Sequence, residues 1–409
     1  MSINETPSGE RLHIGIFGRR NAGKSSLINA ITGQDLAIVS NVKGTTTDPV
    51  KKAMELLPLG PVVLIDTPGL DDEGLLGQKR MEKALQALRQ TDVVILTIPA
   101  DAALEGLEKT LLQEAKKRGL PFFVVLNKTD LLADKKQIEE KEKEIAQALS
   151  IPLDVIVAVS ADKNEGIYAL KEKLANGIPK EQERLLIHDL LSPGDLVVLV
   201  VPIDSAAPKG RLILPQQQVI RDSLEAGAVP VVTRDSELAQ ALQSLGKKPR
   251  LIVTDSQVFG SVAKIVPRDI PLTSFSILMA RYKGDLEVQI AGARAIETLQ
   301  DGDTVLISEG CTHHRQCDDI GTVKMPRWIK EYTGKDLQFA FTSGGEFPKD
   351  LSPYAMVVHC GGCTLPLQEM RYRISYGSKQ EVAITNYGVM IAYIHGILPR
   401  VTEIFVDKK

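Results

Sequence analysis

Gly18-Arg19-Arg20-Asn21-Ala22-Gly23-Lys24-Ser25 is the stretch of sequence that decides the fold. It has the form G-x-x-x-x-G-K-S/T, with an apolar run at 13–17 before it and a helical pattern at 26–32 after it, the strand–loop–helix context that a phosphate-binding loop requires. Glycines let such a loop wrap closely around phosphate, and its successive N–H groups and the following helix N-terminus supply positive potential. Lys24 then reaches the β and γ phosphates, and Ser25 ligates Mg²⁺. Gly18, Asn21, Ala22, Gly23, Lys24, Ser25 and Ser26 form the first part of a nucleotide site.

Working outward, Asp66-Thr67-Pro68-Gly69 follows the apolar run 62–65 directly. A carboxylate at the carboxyl end of a strand is placed to hold the magnesium from behind its first ligands. Asn127-Lys128-Thr129-Asp130 follows the run 122–126, and Ser160-Ala161 follows 155–159. Asn127 and Asp130 suit the edge of guanine, with Asp130 accepting from its N1 and N2 donors. Together with 93–97 these runs alternate with helical patterns, the rhythm of a parallel sheet with crossover helices.

The chain has 409 residues, enough for two to four folded units. A proline and a cluster of charges near residue 180 mark a boundary, and 181–191 reads as a short helix. A second α/β stretch follows, with strands at 196–201, 229–233 and 251–254. A third begins near 266, with a helix at 291–299 and strands at 304–308 and 354–358. The expected organisation is therefore an α/β chain: a P-loop GTPase domain with a parallel-type sheet over 1–178, then two further α/β domains over 179–265 and 266–409.

Apolar residues make up 43% and charged residues 25%, a globular composition that excludes a fibrous or mostly disordered chain. Lys and Arg number 49 against 52 Asp and Glu, a net charge of −3, so no global positive excess draws the chain to nucleic acid or anionic lipid. With aromatics at 4%, a base-stacking surface is not expected either. No apolar run is long enough to cross a bilayer, and the polar start of the chain does not read as a secretory signal, so the cytoplasm is the expected location.

All four cysteines, Cys311, Cys317, Cys360 and Cys363, lie in the last quarter. Cys311-Thr312-His313 and His359-Cys360-Gly361-Gly362-Cys363 each follow one of the late strands. If those strands are parallel neighbours, both groups emerge from one sheet edge, where α/β folds place ligands. Cys360 and Cys363, two residues apart across glycines, can face one centre, and Cys311 completes a three-thiolate set. Three chemistries suit it: structural zinc, an iron–sulfur cluster, or a thiol redox pair at Cys360 and Cys363. Cys317 reads as an incidental thiol. His13, His188, His314 and His395 read as ordinary polar residues, whereas His313 and His359 flank the ligand cysteines.

The first of two resemblances rests on the nucleotide motifs and on Gly44-Thr45-Thr46-Thr47-Asp48-Pro49: residues 12–175 resemble GTPase domains of the Era and TrmE type. The resemblance implies that Thr46 reaches Mg²⁺ when a γ-phosphate is present. Leu70 stands where Ras-like enzymes carry a water-orienting glutamine, so another catalytic device is needed. In the TrmE-like group that device is K⁺, held in part by a P-loop asparagine, which maps to Asn21. Lys24, Thr46 and Asn21 are then the catalytic residues, and turnover is expected to be slow, on the order of 10⁻⁴ to 10⁻² per second.

The second resemblance covers essentially the whole chain. A TrmE-like GTPase domain, a middle α/β domain and a C-terminal C-x-H…H-C-x-x-C pattern together resemble the [FeFe]-hydrogenase maturation GTPases. That family implies a [4Fe-4S] cluster on Cys311, Cys360 and Cys363, with a fourth position open or weakly held and with His313 and His359 as ligand or supporting residues. It further implies a homodimer formed through the middle domain. The implied role is a carrier that receives a diiron precursor from radical-SAM maturases and delivers it to apo-[FeFe]-hydrogenase. The competing expectations are an RNA-associated GTPase of ribosome or tRNA processing and a zinc-stabilised GTP-binding interaction protein.

Overall fold

The computed structural model describes residues 6–33, 49–69, 74–104, 106–178, 185–203, 212–311 and 319–405. Two compact units form, residues 1–181 and 182–409. In the first, β1 (Leu12–Gly18), β2 (Val50–Leu56), β3 (Gly60–Asp66), β4 (Val93–Pro99), β5 (Phe122–Asn127) and β6 (Ile156–Ala158) make one sheet in the order β2-β3-β1-β4-β5-β6. All pairings are parallel except β2 with β3. The helices are α1 (Lys24–Thr32), α2 (Gly74–Arg89), α3 (Gly106–Lys117), α4 (Lys135–Leu149) and α5 (Ile167–Gly177).

Every residue of β4 is buried, which is why this strand reads as an unbroken apolar run rather than an alternating one. Alternate side chains feed two cores. Phe17, Ile65, Leu96 and Leu126 point into one, and Ile16, Leu64, Ile95 and Val125 into the other. Because the central strands are parallel, the segments after β1, β3, β5 and β6 leave from the same edge of the sheet. The four nucleotide motifs are those segments.

The second unit carries two parallel four-stranded sheets. The first contains β7 (Leu196–Val200), β8 (Val229–Thr233), β9 (Leu251–Thr254) and β10 (Leu272–Ser274) in the order β10-β9-β7-β8. The second contains β11 (Thr304–Glu309), β12 (Gln338–Ser343), β13 (Met356–His359) and β14 (Ala383–Asn386) in the order β12-β11-β13-β14. The helices are α6 (Leu214–Glu225), α7 (Leu238–Ser244), α8 (Phe259–Ile265), α9 (Phe275–Lys283), α10 (Leu286–Ala293), α11 (Met325–Thr333), α12 (Leu367–Lys379), α13 (Tyr387–Ile394) and α14 (Leu398–Thr402). Side-chain caps set several starts: Ser274 accepts from Ile277 N–H, Asp285 from Val288 N–H and Asn386 from Val389 N–H.

One apolar cluster joins the two sheets. Val198 and Ile252 of the first share it with Val305 and Val358 of the second, and with Val389 and Val401 of the closing helices. Arg400 of α14 reaches across to the carbonyls of Ala263 (2.9 Å) and Val266 (2.8 Å), satisfying the open end of α8. The boundary expected at 265/266 therefore falls inside this sheet, because β10 continues it in parallel beside β9. The helix expected over 181–191 is, within the described residues, a single 3-10 turn at His188–Leu190. The helix expected at 291–299 starts earlier, as α10, and tightens into a 3-10 turn at Arg294–Thr298.

Candidate functional site

The phosphate loop is shaped by backbone conformations that few residues adopt. Gly23 has φ +86°, and a Cβ there would come within 2.2 Å of Asn127 Nδ2; Asn21 also takes a left-handed φ of +58°. Lys24 is buried, and its Nζ donates to the carbonyls of Gly18 (2.9 Å) and Arg19 (2.7 Å). The hydroxyl of Ser25 donates to Asp66 Oδ2 at 3.0 Å, so the two residues expected around magnesium are already neighbours. Burial pushes the Asp66 carboxyl above its ordinary value, opposed by Lys24, the Ser25 hydroxyl and Lys52. Ser26 sits half-buried in the first turn of α1, and Gly69 passes directly against Arg20.

The base-recognition side is bonded into the same loop. Asn127 Nδ2 donates to Ala22 O at 3.0 Å, while its Oδ1 accepts from Ala161 N–H at 3.1 Å, so one side chain ties the segments after β1, β5 and β6 together. The Ser160 hydroxyl donates to Asp130 Oδ1 at 2.6 Å and holds that carboxyl below its ordinary value, which favours its ionised, accepting form. Lys128, at φ +63°, places Nζ 3.5 Å from Asp101. Thr46 lies outside the described residues.

A buried ion pair that no motif announces supports the phosphate loop. Arg19 Nε lies 2.7 Å from Glu108 Oε1, and Glu108 is 0% exposed on α3. Arg19 also donates to Ala103 O. The signal in the sequence was a carboxylate on the apolar face of α3, in line with Leu111, Leu112 and Ala115.

In the second unit, β11 and β13 are adjacent and parallel, with Ser308 opposite His359. The two cysteine segments therefore leave one sheet edge side by side. Gly310 N–H donates to Cys360 Sγ at 3.0 Å and Gly362 N–H to the same sulfur at 3.4 Å, while Thr364 Oγ1 bonds Gly310 O at 3.0 Å. Gly362 has φ +61°, and a Cβ there would come within 2.5 Å of Met370 Sδ. Burial pushes the Cys360 thiol up to about 11, against the Gly310 N–H, and Cys363 lies near enough to raise it further.

His359 is buried, and both of its ring nitrogens are engaged. An arginine only donates and a carbonyl only accepts, so Nε2 accepts from Arg373 Nη1 (3.0 Å) and Nδ1–H donates to Cys360 O (2.7 Å). Burial and the Arg373 guanidinium push its pKa down to about 3, so the ring is neutral and faces away from ligation. His313 and Cys317 lie outside the described residues. Of the histidines read as ordinary, His13 bonds Arg11 O and His188 pairs with Asp222.

Among the described residues no three His, Cys, Asp or Glu side chains are gathered tightly enough to hold a metal ion. Cys311 follows Gly310 directly and opens the stretch 312–318 outside the described residues. The Cys360 turn nonetheless fits a thiolate-bound iron–sulfur group, since its sulfur receives two backbone N–H bonds of the kind that stabilise cluster thiolates. No described helix is long and apolar enough to cross a membrane.

The sheet and its four motifs define the class: the first unit is a P-loop GTPase domain, and residues 13–128 match the family model described as 50S ribosome-binding GTPase. Residues 186–284 match the hydrogen maturase F dimerization domain and 287–404 the hydrogen maturase F tetramerization domain. The chain belongs to the hydrogen maturase F family, HydF. Similar proteins include GTPase Der from Kosmotoga olearia, 33% identical over 45% of this chain and 43% of its own. The tRNA modification GTPase MnmE from Ligilactobacillus salivarius is 34% identical over 44% and 37% respectively. The chain thus spans less than half the length of these two relatives. Among solved structures, an Era variant from Aquifex aeolicus bound to GDP and AlF₄⁻ covers 57% of the chain and 98% of its own, at 21% identity and a TM-score of 0.38.

Proposed function

We propose that this chain is a slow, K⁺-stimulated GTPase that carries a [4Fe-4S] cluster and passes a diiron precursor to apo-[FeFe]-hydrogenase. The observation that supports the second half is the pairing of β11 with β13, which brings the N–H of Gly310, the residue before Cys311, to the Cys360 sulfur at 3.0 Å. Cys311, Cys360 and Cys363 would hold the cluster. His359 supports the turn from below rather than ligating, and His313 remains a candidate for the fourth position. When bound, the cluster supplies an iron with a coordination position open to a bridging group.

In the GTPase unit, Lys24 would exchange its two loop carbonyls for the β and γ phosphates. Ser25 and Thr46 would ligate Mg²⁺, with Asp66 behind them. Asn127 holds the loops together while Asp130 reads guanine, flanked by Lys128, Ser160 and Ala161. Asn21, held at a left-handed φ in the loop, would help to bind K⁺ in place of the missing glutamine. GTP would then control partner affinity through the loops containing Thr46 and Gly69. Self-association through the 186–284 segment is in keeping with the family description of that segment. Radical-SAM maturases would supply the precursor.

Anaerobic purification, reconstitution with iron and sulfide, metal analysis and EPR of the reduced protein test the reading. About four irons per chain and broad visible absorption, both lost in Cys360→Ser, are expected; stoichiometric zinc instead would refute it. GTP hydrolysis should rise several-fold when K⁺ replaces Na⁺, and equal rates would remove the potassium role.

A further inference from the structure

Arg373 is among the largest side chains that the core swallows whole, at 0% exposure. Its Nε bonds Glu369 Oε1 at 2.8 Å on its own helix, and the rest of the guanidinium points toward the sheet edge. Nη1 reaches His359 Nε2 at 3.0 Å and Ser308 Oγ at 3.4 Å, and Nη2 donates to Gly344 O at 2.9 Å. One side chain therefore touches the ends of β11 and β13 and the turn that follows β12. The Phe347 ring lies 5.0 Å from the guanidinium.

Lys283, the last residue of α9, is also 0% exposed, and its Nζ donates to Cys363 O (2.9 Å) and Leu365 O (3.0 Å). The two cysteine carbonyls are thus held from below, Cys363 O by Lys283 and Cys360 O by Arg373 through the His359 ring. The N–H groups of Gly310 and Gly362 point the other way, to the Cys360 sulfur. Two carboxylates lie nearby: Glu369 pairs with Arg373, and the buried Glu309, which accepts from Tyr387 Oη at 3.2 Å, stands near enough to Cys360 to oppose the two basic side chains.

We infer that Arg373 and Lys283 form a buried basic floor beneath the Cys360–Cys363 turn, and that this floor positions the turn and sets the reduction potential of the iron–sulfur group it carries. The inference rests on the cluster-binding reading above. A thiolate-ligated cluster is anionic and becomes more so on gaining an electron, so fixed positive charge in a poorly screened interior favours the reduced form. Arg373 and Lys283 act through the turn and are positioning residues. Nothing in the sequence pattern of the cysteines requires them, and neither adjoins a cysteine in the chain.

The test is an EPR-monitored redox titration of the full chain after anaerobic reconstitution, comparing the parent with Lys283→Met, Arg373→Lys and Arg373→Gln. In Lys283→Met, which keeps the length and apolar stem, the ratio of reduced to oxidised cluster at fixed potential should fall at least tenfold, about 59 mV for one electron. Arg373→Lys should stay near the parent, whereas Arg373→Gln should shift as Lys283→Met does. Iron-loaded Lys283→Met that titrates with the parent overturns the floor. Should the parent hold zinc and no cluster, the carrier reading fails separately. The floor is then read by Co²⁺ titration of the thiolate absorption: at least tenfold weaker binding in Lys283→Met supports it, and equal affinity overturns it.

Discussion

The phosphate loop and the cysteine turn sit at the carboxyl ends of parallel strands, and each rests on a buried arginine–glutamate pair, but the pairs are built in opposite senses. At the phosphate loop the arginine belongs to the loop itself, and Arg19 reaches down to Glu108 of α3. At the cysteine turn both partners belong to a supporting helix, and Arg373 reaches up from beside Glu369. The loops differ accordingly. In the first, polar groups are bonded to one another, Lys24 to Gly18 O, Asn127 to Ala22 O and Ser25 to Asp66, and a nucleotide can take over those bonds. In the second, backbone N–H groups converge on one sulfur, the carbonyls of Cys363 and Leu365 are held by Lys283, and that of Cys360 by the His359 ring. The first loop carries its charged groups within itself, and the second has them beneath it.

The sharpest way to break this comparison is Glu108→Leu. Leaving Arg19 buried without its carboxylate should cost the first unit about 3–5 kcal/mol, read as an earlier urea transition, with the second unit's transition unmoved. A loss spread over both transitions would mean that the pair is not local. Asp130→Asn comes next. Its amide keeps one acceptor but sets an NH2 donor against the guanine 2-amino group, so GTP affinity should fall about 100-fold, close to 3 kcal/mol, while xanthosine triphosphate, whose C2 carbonyl accepts from that NH2, gains. Unchanged base preference would remove Asp130 from recognition. The smallest effect is expected at Gly362→Ala, where φ +61° and the nearby Met370 sulfur set the strain. About 2 kcal/mol should be lost from the second unit, along with iron uptake, and GTP affinity should stay at the parent's value.

The nucleotide site was legible because each of its motifs is contiguous and each sits where a strand ends. Even so, Asn127 reads from sequence as a base contact, and only the fold reveals it as the strap joining three loops. The cysteine site was legible in outline. The pairing of β11 with β13 was an open condition in the sequence, decided by the parallel sheet, and the order β12-β11-β13-β14 could not be read from spacing alone. Lys283 stayed hidden because it lies 80 residues before Cys363, and Glu369 and Arg373, although on the helix that follows the turn, because they carry no motif. Their trace is a rule broken: Glu369 and Arg373 occupy an otherwise apolar face of α12 with Met370 and Ile374. The expected 265/266 boundary failed for a related reason, since a shift in composition does not report which sheet a short strand joins.

The apolar body shared by the two sheets of the second unit has a practical consequence for anyone dissecting the chain. A gene cut between the two family segments would turn Val198 and Ile252 in one half, and Val305 and Val358 in the other, toward water. The fragments should precipitate alone and recover only when expressed together, so the 186–284 and 287–404 segments should behave as one folding unit.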